Sequence, residues 1–194
     1  MNAEKALAAL RQNGFDARYY ETAAEAAEAV CAGLSGKTIG IGGSVTVQQM
    51  GLFDRLSREN EVFWHWAQPA AAALEQAKTA QVYLLSANAV SETGEIVNID
   101  GTGNRVAAAL YEHERVIYVV GKNKLAPTLE EAIARARSIA APMNARRLQK
   151  KTPCALAEPM RCHDCRSPER ICNGLTVLAR PMGGTPTEVL LIGE

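Results

Sequence analysis

The sequence has no surplus of either charge: 21 lysines and arginines stand against 21 aspartates and glutamates, and the pI is near 6.8. Without a positive excess there is no general field for the phosphate backbone, so nonspecific nucleic-acid binding is not expected. Long hydrophobic runs are also missing, and nothing approaches the roughly 20 apolar residues that span a bilayer. The opening stretch, MNAEKALAALRQNG, is an amphipathic helix pattern without the apolar core of a secretory leader. A cytoplasmic location is the expectation. Nucleotide motifs fail as well. A dinucleotide loop needs G-x-G-x-x-G, but after Gly40 and Gly42 the third glycine position holds Val45. Gly36-Lys37-Thr38 matches the end of a Walker loop, yet Cys31 stands at its first glycine and the triplet precedes a strand. With only three histidines in the chain, no Ser-His-Asp arrangement can be built from the spacing.

What is present is ordinary for a folded protein: 47% hydrophobic and 22% charged residues over 194 positions. That length suits one domain with a sizeable core. Apolar runs such as KTIGIGG, QVYLLSAN and RVIYVVG alternate with helical patterns. Continuously apolar strands are those buried on both faces, so the expected class is α/β, a mainly parallel sheet with helices on both sides. Thr22 with Glu25, and Thr128 with Glu131, have capping-box spacing. Pro69 is expected to open a helix and Gly51 to interrupt one. VSETGEIVNID reads as a hairpin turning at Thr93-Gly94, with Glu92 and Glu95 solvated. LTVLARP and EVLLIGE read as two closing strands. Residues 1–194 are taken as one domain, with 152–174 a cysteine-rich segment.

Ligands of such sheets sit at the carboxyl ends of strands. At one end, Gly42, Gly43 and Ser44 can cradle a small anion with backbone N–H groups and a hydroxyl. The same three residues can equally serve a tight turn, with Ser44 as a helix N-cap. The stretch 86–105 adds Asn88, Asn98, Asp100, Gly101, Asn104 and Arg105. Strand alternation puts Asn98 and Asp100 on one face and Val97 and Ile99 on the other. Asp100 is the candidate catalytic residue, Asn104 the candidate cap of the next helix, and Arg105 a fork for a carboxylate or phosphate. In FWHW, Phe63 and His65 share one face and Trp64 and Trp66 the other, as core or as a contact between copies in a homo-oligomer. His113 is expected at a helix end, favoured by the dipole, and Cys31 in the core.

GIGGSVTVQQMGL followed by SANAVSETGEIVNIDGTGNRVA resembles the LUD domain, the family that includes lactate utilization protein C. The resemblance implies a fold similar to ribose-5-phosphate isomerase, glucosamine-6-phosphate deaminase and the CoA transferases. It also implies a role in oxidising L-lactate, or a related 2-hydroxy acid, to the 2-oxo acid together with iron–sulfur oxidoreductase partners. A fainter likeness to methylthioribose-1-phosphate isomerases places Asn88 where that family has a catalytic Asp. An amide cannot act as a general acid or base, so isomerase chemistry does not carry over. The other readings are a metabolite-binding or redox-sensing module with a metal-bound cysteine tail, and a free-standing enzyme acting on a sugar phosphate or acyl-CoA.

Four of the five cysteines crowd together: Cys154, Cys162, Cys165 and Cys172, spaced C-x7-C-x2-C-x6-C. In a reducing compartment such a group is expected to hold a metal centre, a [4Fe–4S] cluster or zinc, with unliganded thiols as the alternative. Arg146, Arg147, Lys150, Lys151, Arg161, Arg166 and Arg170 lie around it, able to offset thiolate charge.

Overall fold

The computed structural model describes residues 1–111 and 113–194. Local signals start most of its elements. α1 (Ala3–Gln12) is capped by Asn2, whose side chain accepts from the Lys5 N–H, and is followed by β1 (Asp16–Tyr20). α2 (Ala23–Ala32) has both bonds of the Thr22–Glu25 capping box, and β2 (Thr38–Ile41) follows. Gly51, at φ 61°, separates α3 (Val45–Gln49) from α4 (Leu52–Leu56), since a left-handed residue cannot continue a helix. Then come β3 (Glu61–Trp64), α5 (Ala70–Lys78) opened by Pro69, β4 (Val82–Leu85), β5 (Ala89–Ser91) and β6 (Ile96–Asp100). α6 (Asn104–Leu110) leads to β7 (Arg115–Gly121), a 3₁₀ turn (Lys122–Lys124) and β8 (Leu125–Ala126). α7 (Leu129–Arg135), capped by Thr128, runs through a π turn (Ala136–Ala140) into α8 (Ala141–Arg147). α9 (Pro153–Leu156), β9 (Gly174–Leu178) and β10 (Thr187–Ile192) complete the order. No helix among the described residues is long and apolar enough to cross a membrane.

Six strands form a parallel sheet in the order β1-β10-β7-β4-β2-β3. Its two faces bury alternate residues, as the period of two requires. Tyr83, Leu85, Val116 and Tyr118 pack with Ala6 and Leu10 of α1 and with Ala77 of α5. Val82, Leu84, Ile117 and Val119 pack with Ala26 and Val30 of α2 and with Val47 and Leu52. Helices therefore cover both sides of a mainly parallel sheet, as the apolar runs imply.

A second sheet, β8-β5-β6-β9, is mixed. Val90, Ile96 and Leu178 on one face join the first core, while Ala89, Val97 and Ile99 pack against Ala132, Ala136 and Ala141. The two closing strands part company here. β10 inserts between β1 and β7 with all six residues buried, whereas β9 pairs antiparallel with β6 and leaves Leu175 and Val177 exposed. Sequence spacing carries no information on which sheet a strand joins.

The hairpin tip corrects another expectation. Glu92 is buried, accepting from the Asn2 N–H at 2.7 Å and facing Lys5 Nζ at 3.4 Å, because α1 lies against the turn. Glu95 is half-buried and accepts from the hydroxyls of Ser91 and Thr93. His113 lies beyond α6, fully enclosed, with Nδ1 2.6 Å from the Ala80 carbonyl and its ring stacked 5.0 Å from Tyr83. It is a packing residue and makes no use of a helix dipole.

Gly94 is the tightest point of the hairpin. Its φ is +92°, and a Cβ there would stand 2.7 Å from the Ala9 carbonyl carbon. Gly94→Ala is expected to cost about 3 kcal/mol, from the positive φ and from backbone that cannot yield. Urea denaturation followed by circular dichroism would read this as a lower midpoint with an unchanged slope.

Candidate functional site

The chain leaves β2 toward α3 and α4, on the face carrying Val47 and Leu52, and leaves β4 toward the second sheet, on the face carrying Val90 and Ile96. Adjacent parallel strands whose connections depart to opposite faces leave a crevice between their carboxyl ends, where ligands of open α/β sheets bind. Gly42 lies here, its N–H still donating to the Leu84 carbonyl at 2.9 Å. A Cβ on Gly42 would come within 3.1 Å of both Arg105 Cγ and the Tyr83 hydroxyl, so glycine is what lets the arginine lie across the strand end.

Arg105 is held by several acceptors. One of its Nη2 hydrogen bonds goes to Asn88 Oδ1 at 3.3 Å, another to the Ile99 carbonyl, and Nε is 3.6 Å from Asp100. Asn88 Oδ1 also accepts from the Ile99 N–H at 2.7 Å, while the Asn88 N–H donates to Asn98 Oδ1 at 3.1 Å. Asp100 accepts from the N–H groups of Thr102, Gly103 and Val106, each at 3.2 Å. The carboxylate marked as the catalytic candidate thus holds the glycine turn and the first turn of α6. Asn104, expected to cap that helix, is its first residue. The N-cap is Gly103, which has no side chain to offer, so Asp100 supplies the acceptor from three positions before it. Asn104 Oδ1 instead accepts from the Thr102 hydroxyl.

The loop after β7 brings in a lysine that the motif search passed over. Lys124 Nζ donates to Thr46 Oγ1 and to Ser86 Oγ, both at 2.7 Å, bridging α3 to the end of β4. Burial, with Arg135 and Arg105 nearby, lowers the Lys124 pKa from 10.5 to about 8. Arg135, from α7, donates through Nε to the Asn123 carbonyl at 3.1 Å and through Nη1 to the Asn88 carbonyl. Burial also lowers its pKa. Lys124 stands one residue past the strand end VGKN, which is a readable signal. Arg135 lies in a helix eleven residues further on, and only packing reveals it.

The structure therefore gathers Gly42, Asn88, Asn98, Asp100 and Arg105, and adds Ser86, Lys124 and Arg135. Other candidates turn elsewhere. Ser44 uses its hydroxyl as N-cap of α3, accepting from the Val47 N–H at 3.2 Å. Gly43 faces Trp66 and His65, with 3.1 Å from a Cβ to the Trp66 ring. Trp66 also carries Arg147 over its ring at 4.6 Å, and burial lowers the His65 pKa. Gly101 abuts the cysteine segment, where a Cβ would be 3.0 Å from the Ile171 carbonyl oxygen.

All five cysteines are free and partly buried. Among the described residues, no three or more His, Cys, Asp or Glu side chains are gathered so as to hold a metal ion. Arg170 ties parts of the segment together, donating to the carbonyls of Cys165 at 2.8 Å and Cys172 at 3.1 Å.

A family model described as the LUD domain matches residues 3–192. The chain belongs to the LUD domain family. This family is associated with lactate utilization proteins. Among solved structures, a DUF162 family protein from Deinococcus radiodurans is similar to this LUD domain, with 16% identity and a TM-score of 0.54. The match covers 97% of this chain and 94% of that one, and at such identity it speaks to the fold alone. A comparison with curated proteins finds no match.

Two measurements test the geometry. Asp100→Ala removes the acceptor for three backbone amides and should lower stability by about 2–3 kcal/mol, whereas Asp100→Asn, which keeps Oδ1, should lower it less. For Lys124 the folded pKa, about 8, lies below the unfolded value. The unfolded state then binds more protons above pH 8, and this group's contribution to stability rises from about pH 8 toward 10.5. Lys124→Met should remove that rise. Urea midpoints at pH 7 and pH 9.5 would show it as a smaller wild-type disadvantage at the higher pH.

Proposed function

We propose that this LUD domain protein binds a small carboxylate at the β2/β4 crevice, namely L-lactate or a related 2-hydroxy acid and its 2-oxo product. In this reading it is one component of a system that oxidises the first to the second with iron–sulfur partner proteins. One observation carries the proposal. Arg105, Lys124 and Arg135 converge on Asn88 and Ser86, and among the described residues Asp100 is the one carboxylate bonded to any of them. Buried charges are costly unless paired, so an unbalanced cluster of cations favours a bound anion.

The chemistry follows from the same groups. A substrate carboxylate beside Lys124 and Arg105 would be held by charge-assisted hydrogen bonds, with Arg135 adding to the positive field. The hydroxyls of Thr46 and Ser86 fix the ammonium in place. The two electrons of the oxidation would pass to a partner protein, which in this reading carries the iron–sulfur centres. The family's association with lactate utilization supports the choice of acid.

Calorimetry with L-lactate, pyruvate, inorganic phosphate and acetyl-CoA separates the ligand classes. Lactate or pyruvate should bind, and Lys124→Met and Arg105→Ala should each weaken binding at least about tenfold, the loss of one charge-assisted contact. Affinity should also fall as pH rises through about 8, where free Lys124 loses its proton. Binding of phosphate or acetyl-CoA in preference to both acids would discard the lactate reading. Equal affinity in the wild type and both variants would discard the site.

A further inference from the structure

A second polar region lies across β6 from the cation cluster, and the reading above makes no use of it. Asn98 and Asp100 face Asn88 and Arg105, while Ile99 helps to line a cavity of about 150 Å³ on the opposite face. Cys162 and Cys172 line that cavity together, with Arg137 and Arg170. Cys162 and Arg137 also line a larger opening of about 600 Å³, beside Arg161 and His163. One thiol thus faces both spaces and the other only the inner one.

The surroundings fix these two cysteines and set the charge around them. Arg170 ties the Cys165 and Cys172 carbonyls together, and the Cys162 sulfur accepts from the Asp164 N–H at 3.4 Å. Arg137, Arg161 and Arg170 line the two spaces against one carboxylate, Asp164, whose side chain is 82% exposed. Such a lining repels cations and draws in anions. The placement of the thiols matters as well, since two of them share one cavity. A thiol pair in an anion-attracting cavity is suited to exchange with a disulfide, where a thiolate attacks sulfur.

We propose that Cys162 and Cys172 are a reactive thiol pair that undergoes thiol–disulfide exchange with a small anionic disulfide admitted through the arginine-lined opening. Cys162, facing the larger space, attacks first as the thiolate. The small molecule's S–S bond breaks, one half leaves as a thiolate, and the other stays on Cys162 as a mixed disulfide. Cys172, also as the thiolate, then attacks Cys162 sulfur, forming the Cys162–Cys172 bond and releasing the second half. Two protein thiols are oxidised and one small disulfide is reduced to two thiols. The two protons lost by the cysteines pass to the departing thiolates. Oxidation would tighten a segment already zipped to the cation site, since the Asn173 N–H donates to the Asp100 carbonyl at 3.0 Å.

The test uses the reduced full-length protein, prepared anaerobically, with oxidised glutathione as the anionic probe and cystamine as the cationic one. Alkylation of remaining thiols and peptide mapping should find a Cys162–Cys172 link, formed about tenfold faster with glutathione disulfide than with cystamine. Cys172→Ser should trap glutathione on Cys162. Arg137→Ala should slow the glutathione reaction and speed the cystamine reaction, while circular dichroism confirms that the variant is folded. The proposal is overturned by equal rates with both probes, by a link joining other cysteines, or by no link at all. It is likewise overturned if the anaerobic protein carries stoichiometric iron or zinc that protects these thiols from alkylation.

Discussion

Where β4 leaves the main sheet the chain must turn into a second sheet without stranding backbone amides, and Asn88 with Asn98 makes that corner. The Asn88 side chain accepts the Ile99 N–H, and the Asn98 side chain accepts the Asn88 N–H. Buried amides left without acceptors would cost on the order of 1–3 kcal/mol each. Arg105 and Arg135 then use the same residue, one through its side-chain oxygen and the other through its carbonyl. The corner that joins the two sheets is thus also the anchor of the cation cluster.

Charge at this corner is unbalanced for a structural reason. Asp100 pairs with Arg105, yet three backbone amides at the start of α6 already engage the carboxylate. Lys124 has neutral hydroxyls for partners and Arg135 has carbonyls. Hydrogen bonds to neutral oxygens hold these cations in place but do not cancel their charge, and burial lowers the Lys124 pKa in consequence. Pre-placed donors of this kind bind an anion without reorganising at the moment of binding.

The strand β6 divides two environments by the simple alternation of side chains. One face carries Asn98 and Asp100 toward the cation cluster, and the other carries Val97 and Ile99 toward the alanines of α7 and α8. The cysteine segment then closes over the end of the same strand, with Asn173 bonded to Asp100 and Gly101 and the backbone of Ile171 against Gly101. A Cβ at Gly101 would stand 3.0 Å from the Ile171 carbonyl oxygen, so glycine lets the segment pack closely here. Changes in either environment act on a shared strip of backbone.

Much of the fold was legible in the residues alone, because the signals concerned are local. The Thr22–Glu25 box, the break at Gly51, the hairpin at Gly94 and the apolar strands each depend on neighbours a few positions away. Strand-end reasoning likewise reached Gly42, Asn88, Asp100 and Arg105, since parallel strands deliver their carboxyl ends to one side of a sheet. Tertiary structure decided the rest. Lys124 and Arg135 join the cluster through contacts spanning 38 to 78 residues, which no spacing rule encodes. Glu92 is buried because α1 happens to lie on the hairpin, and Ser44 and Asp100 are engaged by helix amides because short helices begin beside them. Sequence alone determined which segments become strands and helices and where their ends point. Only the folded chain decided which polar groups are satisfied by backbone and which cations are left without a carboxylate of their own, because that depends on what packs beside each one.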